Sequence, residues 1–244
     1  MPFHRSSEGS ALTSFRLEPD FLELFPEATV AIAVVRGVVN TIDDPEIWPM
    51  LEIEIERAAN SVNAGEISQH AAVAPWRAAF GQFGVKPSKY RSSIESMLRS
   101  AQSGRLRPIN PLVDLYNTIS LRHQLPVGGE DLAKISGDVR LTRANGDEHF
   151  VPLGADGPEP PPVGAVIYRD DAGVICSCWN WREAERTMLT PGTTDAVLVI
   201  ESIPPLAPEA TRIAVDDLAV LVTRHLGGSA VVSVLDRGSP SVEL

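Results

Sequence analysis

The sequence predicts an α+β domain in which a mixed or antiparallel β-sheet packs with helices, and three observations predict it. Helical periodicity is concentrated between about residues 43 and 123, whereas short strand patterns and turn signals dominate after Pro126. The longest apolar runs, Val30–Val35 and Ala196–Ile200, are strand-sized. No internal repeat is present, which argues against a solenoid or propeller.

Residues 1–14 read as a flexible tail of Ser, Gly and small polar residues, leaving 15–244 as one domain. Val30–Val39 is β-branched and nearly continuous, the pattern of a strand buried on both faces. Asp43, Asp44 and Pro45 then open a helix in which Ile47, Leu51, Ile55 and Ala58 recur on one face. A second helix is expected over roughly His70–Phe83. Pro87-Ser88 opens a third, with Tyr90, Ile94, Met97, Leu98 and Ala101 spaced for one side and Gly104 at its end. The fourth spans Ile109–His123, with an asparagine cap and a proline in the first turn at Asn110-Pro111.

Beyond Pro126 the expected strands are Val139–Thr142, His149–Val151, Val163–Tyr168, Val174–Trp181 and Ala196–Ile200. Asn145-Gly146, the proline-stiffened Asp156–Pro162 and Asp170–Gly173 separate them. A helix over Ala214–Leu226 and a strand over Ala230–Leu235 close the chain.

Composition narrows the functional classes. Of 244 residues 43% are hydrophobic and 22% charged, an ordinary globular balance, and two cysteines build no disulfide framework. No apolar run approaches the length that spans a bilayer, and the first 14 residues lack a secretory apolar stretch, so a cytoplasmic protein without a membrane partner is expected. The net charge of −11 opposes a polyanionic partner, yet the charge is segregated. Between Pro75 and Arg107 stand Arg77, Lys86, Lys89, Arg91, Arg99, Arg105 and Arg107 against the single acid Glu95. This is the pattern of an anion-binding face or of a solvated helix.

Serine-nucleophile, phosphate-loop, dinucleotide and zinc-protease motifs are all missing. Cys176 and Cys178 lack further ligands at zinc spacing, so no metal and no cofactor are expected.

An ordered series of segments carries more information. Pro75-Trp76-Arg77-Ala78-Ala79-Phe80 leads to Phe83-Gly84-Val85-Lys86-Pro87-Ser88-Lys89-Tyr90-Arg91, then to Ile109-Asn110-Pro111-Leu112-Val113-Asp114-Leu115-Tyr116-Asn117. Leu125-Pro126-Val127-Gly128-Gly129-Glu130-Asp131 and Trp179-Asn180-Trp181-Arg182-Glu183 follow. From about residue 30 to 205 the chain resembles the free-standing relatives of the editing module of bacterial phenylalanyl-tRNA synthetase, the tRNA-binding B3/B4 domain of its beta subunit.

The resemblance implies the B3/B4 fold, a pocket for the aminoacyl end of a mischarged tRNA, and hydrolysis of its ester. Asp114-Leu115-Tyr116-Asn117 is similar to the module's Asp-x-Thr-Asn element, with Tyr116 in place of Thr. Glu201 looks like the glutamate that reads the wrong side chain. Gly128, after Pro126-Val127, stands where the module has a histidine after its Pro-Leu pair.

The implied catalytic residues are Asn117, which would hold water or a ribose hydroxyl, and Gly128 and Gly129, whose amides would stabilise an oxyanion. Tyr116, Glu130, Asn180, Trp181 and Glu201 would bind the substrate. Arg77, Lys86, Lys89, Arg91, Arg105 and Arg107 would meet tRNA phosphates. Bland alternatives remain for each: a tight turn for the glycines, helix packing for Asn117, core packing for the tryptophans. At the level of function the alternatives are a non-catalytic tRNA or amino-acid binding module and an unrelated small-molecule hydrolase. The first reading requires Asn117, Gly128, Gly129, Asn180 and Glu201 to converge on one cavity.

Overall fold

A computed structural model describes residues 13–61 and 65–244. Most of the expected tail therefore lies outside the described residues, but its last residue, Ser14, opens a strand. In chain order the elements are β1 (Ser14–Leu17), α1 (Pro19–Leu24), β2 (Thr29–Arg36), α2 (Ile47–Ser61), α3 (Ala74–Gln82), α4 (Ser93–Gln102) and α5 (Pro111–His123). Then come β3 (Val127–Asp131), β4 (Val139–Arg143), β5 (Val166–Asp170), β6 (Gly173–Ser177), β7 (Arg182–Glu183), β8 (Ala196–Ser202), α6 (Pro208–Leu226), β9 (Ser229–Leu235) and β10 (Ser241–Glu243).

The fold is α+β with two sheets. A six-stranded sheet has the order β10-β1-β4-β5-β6-β7 and a four-stranded sheet the order β3-β8-β2-β9. Every pairing is antiparallel except β1 with β4. Strand β2 shows how two cores share one sheet. Val30, Ile32 and Val34 join one apolar cluster with Phe15, Trp76 and Ile94, while Ala31, Ala33 and Val35 join another with Leu115, Leu198 and Leu218. Successive side chains point to opposite faces, so a strand buried on both faces must be apolar throughout.

Several boundaries differ from expectation for local reasons. The β2 strand stops at Arg36 because Gly37 turns at φ +67° and gives its amide to Asp195. Helix α2 begins at Ile47, not at Asp43. The expected helix over 70–83 is shorter, beginning at Ala74, and α4 begins five residues after Ser88. There the Ser92 hydroxyl accepts the amide of Glu95 at 3.3 Å, a serine cap with its glutamate at the third helical position. Helix α6 starts at Pro208, ahead of Ala214. Residues 149–151 form no strand, and the isolated bridge beside them pairs Pro152 with Ala184. The strand expected over Val174–Trp181 ends at Ser177, because Cys178 and Trp179 adopt left-handed φ of 49° and 65°. Gly128-Gly129, open to a turn reading, lies inside β3.

No helix among the described residues is long and apolar enough to cross a membrane.

Candidate functional site

Strand β3 is an edge strand, and its register on β8 builds one wall of a cavity. Gly128 lies opposite Val199 and Glu130 opposite Val197. Directly paired residues share a face, and the face repeats every second residue, so Gly128, Glu130, Val197, Val199 and Glu201 all look the same way. All five line a cavity of about 330 Å³ between the two sheets and α4.

The remaining walls come from three places. Helix α5 supplies Tyr116 and Asn117, and α4 supplies Ser93, Ser96, Met97 and Ser100, spaced as one helical face. The segment after β6 supplies Trp179, Asn180, Trp181, Arg182 and Glu183. Asn117, Gly128, Gly129, Asn180 and Glu201 therefore border one cavity, together with Tyr116, Glu130 and Trp181.

The cavity is acidic at its base. The Glu201 carboxylate accepts from the Tyr168 hydroxyl through Oε1 and from Asn180 Nδ2 through Oε2 at 2.5 Å, and burial pushes its carboxyl up to about 7. Glu183 is also pushed up to about 7 by burial, although its surface is partly exposed at the rim; its carboxylate is turned inward, away from bulk water. Glu130 is raised well above the usual carboxylate range, by burial first and then by the charge of Glu183. The Tyr116 hydroxyl is raised by burial and by the same two glutamates. Glu130 Oε2 and Asn180 Oδ1 are buried acceptors, and Ser93 Oγ and Trp179 Nε1 buried donors, that make no hydrogen bond of normal length among the described residues; at longer range the Thr187 hydroxyl acts on Glu130 and the Trp179 indole on Glu201.

Glu183 was not singled out in the sequence, although it is the one acid in Trp179–Glu183. Its Oε1 accepts the Gly129 amide at 3.4 Å. This changes the reading of the two glycines. Glu201 N–H donates to the Pro126 carbonyl and Leu132 N–H to that of Asp195, so alternation along the antiparallel ladder directs the Gly128 amide to β8 and the Gly129 amide away from it. The Gly128 amide is spent in the sheet, and that of Gly129 orients Glu183.

The tryptophans divide. Trp179, fully buried, packs against Phe21, Phe25 and Trp76 with centroids 4.7–5.1 Å apart and is core. Trp181 is half-buried at the rim, edge-on to Tyr90 at 4.8 Å, with the Arg182 guanidinium 5.1 Å from its ring centre. Lys89 in turn lies 4.9 Å from the Tyr90 ring centre. The left-handed pair at Cys178-Trp179 is what breaks the alternation and sends one tryptophan inward and the other to the surface.

The basic segment also divides. Arg77 donates to both carboxylate oxygens of Glu95 at 3.0 Å, and Arg99 joins at 2.9 Å and Arg91 at 3.9 Å around this fully buried glutamate. Arg77 is thus held in a structural ion cluster. Lys86, Lys89, Arg91, Arg105 and Arg107 are exposed, and Arg107 also donates to the Gly104 and Leu106 carbonyls. Leu106, between Arg105 and Arg107, lines the cavity, so this part of the basic segment stands at its edge. Cys176 lines the cavity as well, but its thiol is raised well above its usual range by burial and by Glu183, which disfavours a nucleophilic thiolate. A group with metal-ligand spacing among the described residues, Asp44, Glu46 and His225, borders a different hollow, where His225 Nδ1 and Asp44 Oδ2 are 2.7 Å apart.

Residues 75–227 match the model of the B3/4 domain family. No curated protein sequence matches the chain. Over 91% of its length the chain is similar in structure to an N-terminal fragment of the phenylalanyl-tRNA synthetase beta-subunit from Pyrococcus horikoshii, at 14% identity and a TM-score of 0.48, and it spans half the length of that fragment.

Proposed function

The chain belongs to the B3/4 domain family, and from that premise we propose that it is a trans-acting aminoacyl-tRNA deacylase of the cytoplasm, hydrolysing the ester of mischarged tRNA. One observation carries the proposal: an acidic cavity opens beside an exposed basic segment. The substrate has the matching polarity, an ammonium group on the aminoacyl end and phosphates on the nucleic acid.

In this reading Lys86, Lys89, Arg91, Arg105 and Arg107 meet phosphates, and Trp181 with Tyr90 offers an aromatic platform to an unpaired base. The carboxylates draw the aminoacyl group inward. Water adds to the ester carbonyl carbon as its proton passes to the Glu183 carboxylate, a group titrating near neutrality at the rim of the cavity. The bond to the ribose oxygen then breaks, and that oxygen takes the proton back from Glu183. Asn117 holds the water or a ribose hydroxyl, and the unpaired Ser93 Oγ is a donor available to the developing oxyanion.

The test is incubation of the protein with a panel of aminoacyl-tRNAs while following loss of the ester. At least one mischarged species should lose its amino acid, with a rate that rises towards a plateau above about pH 7 as Glu183 ionises. Glu183→Gln should remove this pH limb and slow the reaction by about 100-fold or more. Tight tRNA binding with no ester loss across the panel would instead identify a non-catalytic binding module of the same fold.

A further inference from the structure

Three carboxyl groups share this cavity with almost no cation to hold them ionised. Glu130 and Glu201 are 6% and 3% exposed, and Glu183 stands nearer the surface. Arg182 is the only lysine or arginine in the described lining, and its exposed guanidinium lies over the outer ring of Trp181. Arg186, the next arginine along the chain, gives both terminal nitrogens to Asp170 and reaches Glu130 only through its charge, which does not offset the burial. Among the described residues two acceptors in the same lining, Glu130 Oε2 and Asn180 Oδ1, are buried without a hydrogen bond of normal length, the Thr187 hydroxyl acting on Glu130 only at longer range. A buried acceptor left unpaired is costly, and a ligand that supplies N–H donors relieves it.

Every aminoacyl ester brings one ammonium group. Asn180 Oδ1, an acceptor left open in the lining, can receive it, which keeps Glu183 free as the base and leaves Glu130 and Glu201 with no cation of the substrate against them. A neutral side chain placed against them would keep both desolvated without bringing a charge to hold them ionised. An aliphatic stem ending in a cation suits the same space, because Phe15, Val127, Ile175, Val197 and Val199 supply apolar wall along the way. Resting on the reading of the cavity as an aminoacyl site, we infer that it selects an aminoacyl group with a second cation, a basic side chain of the lysine or ornithine kind.

The experiment compares two probes that differ only in that charge. Lysinamide and norleucinamide both carry the α-ammonium and a neutral carboxamide in place of the ester, and each is titrated calorimetrically into the full chain and into Glu130→Gln and Glu201→Gln. Lysinamide should bind at least tenfold more tightly, and each substitution should cut that ratio at least threefold. Equal affinities, tighter binding of norleucinamide, or no binding of lysinamide at millimolar concentration would overturn the inference. If a substituted protein fails to fold, the ratio in the unsubstituted chain decides alone.

Hydrolysis is followed separately on lysyl-tRNA and on neutral aminoacyl-tRNAs. Preference for lysinamide with no ester loss from any tRNA would leave the selectivity standing and remove the deacylase reading. Cleavage of neutral esters without any preference for lysinamide would do the reverse.

Discussion

Glu183 accepts the amide hydrogen of Gly129 at 3.4 Å although 54 residues separate them. This contact joins the last strand of the six-stranded sheet to the edge strand of the four-stranded sheet, and it holds a carboxylate over the cavity both sheets enclose. A side chain at Gly128 would begin 2.9 Å from the same Glu183 oxygen. The two glycines therefore act through different atoms, Gly128 by its missing side chain and Gly129 by its amide.

Alanine substitutions should separate these roles. In Gly128→Ala the new Cβ meets only the mobile end of Glu183, so the melting temperature should change little while ester hydrolysis falls. In Gly129→Ala the Cβ would lie 2.6 Å from Leu198 Cδ2 and 3.1 Å from Leu189 Cδ1, two packed core side chains, and should cost about 1–3 kcal/mol in denaturant unfolding.

The Glu201 carboxyl titrates near 7 in the folded chain, above the ordinary carboxyl value of about 4.3. The native state then binds more protons than the unfolded chain between these values. Its contribution to stability is complete below about pH 4 and is lost as pH rises to 7. Glu201→Gln should accordingly stabilise the protein by roughly 1–3 kcal/mol at pH 8, with the gain vanishing towards pH 4. Urea unfolding of both proteins across this range measures it.

Lys86 and Lys89 are exposed and outside the Glu95 cluster. Neutralising both should weaken binding to all tRNAs about equally and flatten the dependence of log affinity on log salt by roughly two units. Arg77→Gln should leave that slope unchanged, since its guanidinium is held by Glu95. Equal slopes for wild type and the double lysine variant would show the exposed face to be merely solvated.

Glu95 anchors α4, the helix whose opposite face lines the cavity. Its carboxylate is fully buried and faces Arg77, Arg91 and Arg99. Glu95→Gln leaves three arginines without their shared anion and should cost about 3–5 kcal/mol in thermal or denaturant unfolding.

By itself, the sequence determined the elements whose periodicity is local and strong. The continuous apolar run of β2 and the Asn110-Pro111 start of α5 could be read directly, because each depends on neighbouring residues alone. The order of the short segments was also sufficient to indicate the family and to nominate Asn117, Glu130, Asn180 and Glu201. Only the tertiary structure decided how those residues meet. The β3–β8 register put Gly128 and Glu130 on the face of Glu201, and register is a relation between strands that no single segment encodes. Two left-handed residues sent Trp179 to the core and Trp181 to the rim, although residues two apart on a continuous strand share one face. Burial from several elements at once moved Glu183 to a titration near neutrality and confined Arg77 to Glu95. Desolvation and ion pairing depend on what surrounds a group in space, so the same side-chain chemistry became legible only once the two sheets had closed over it.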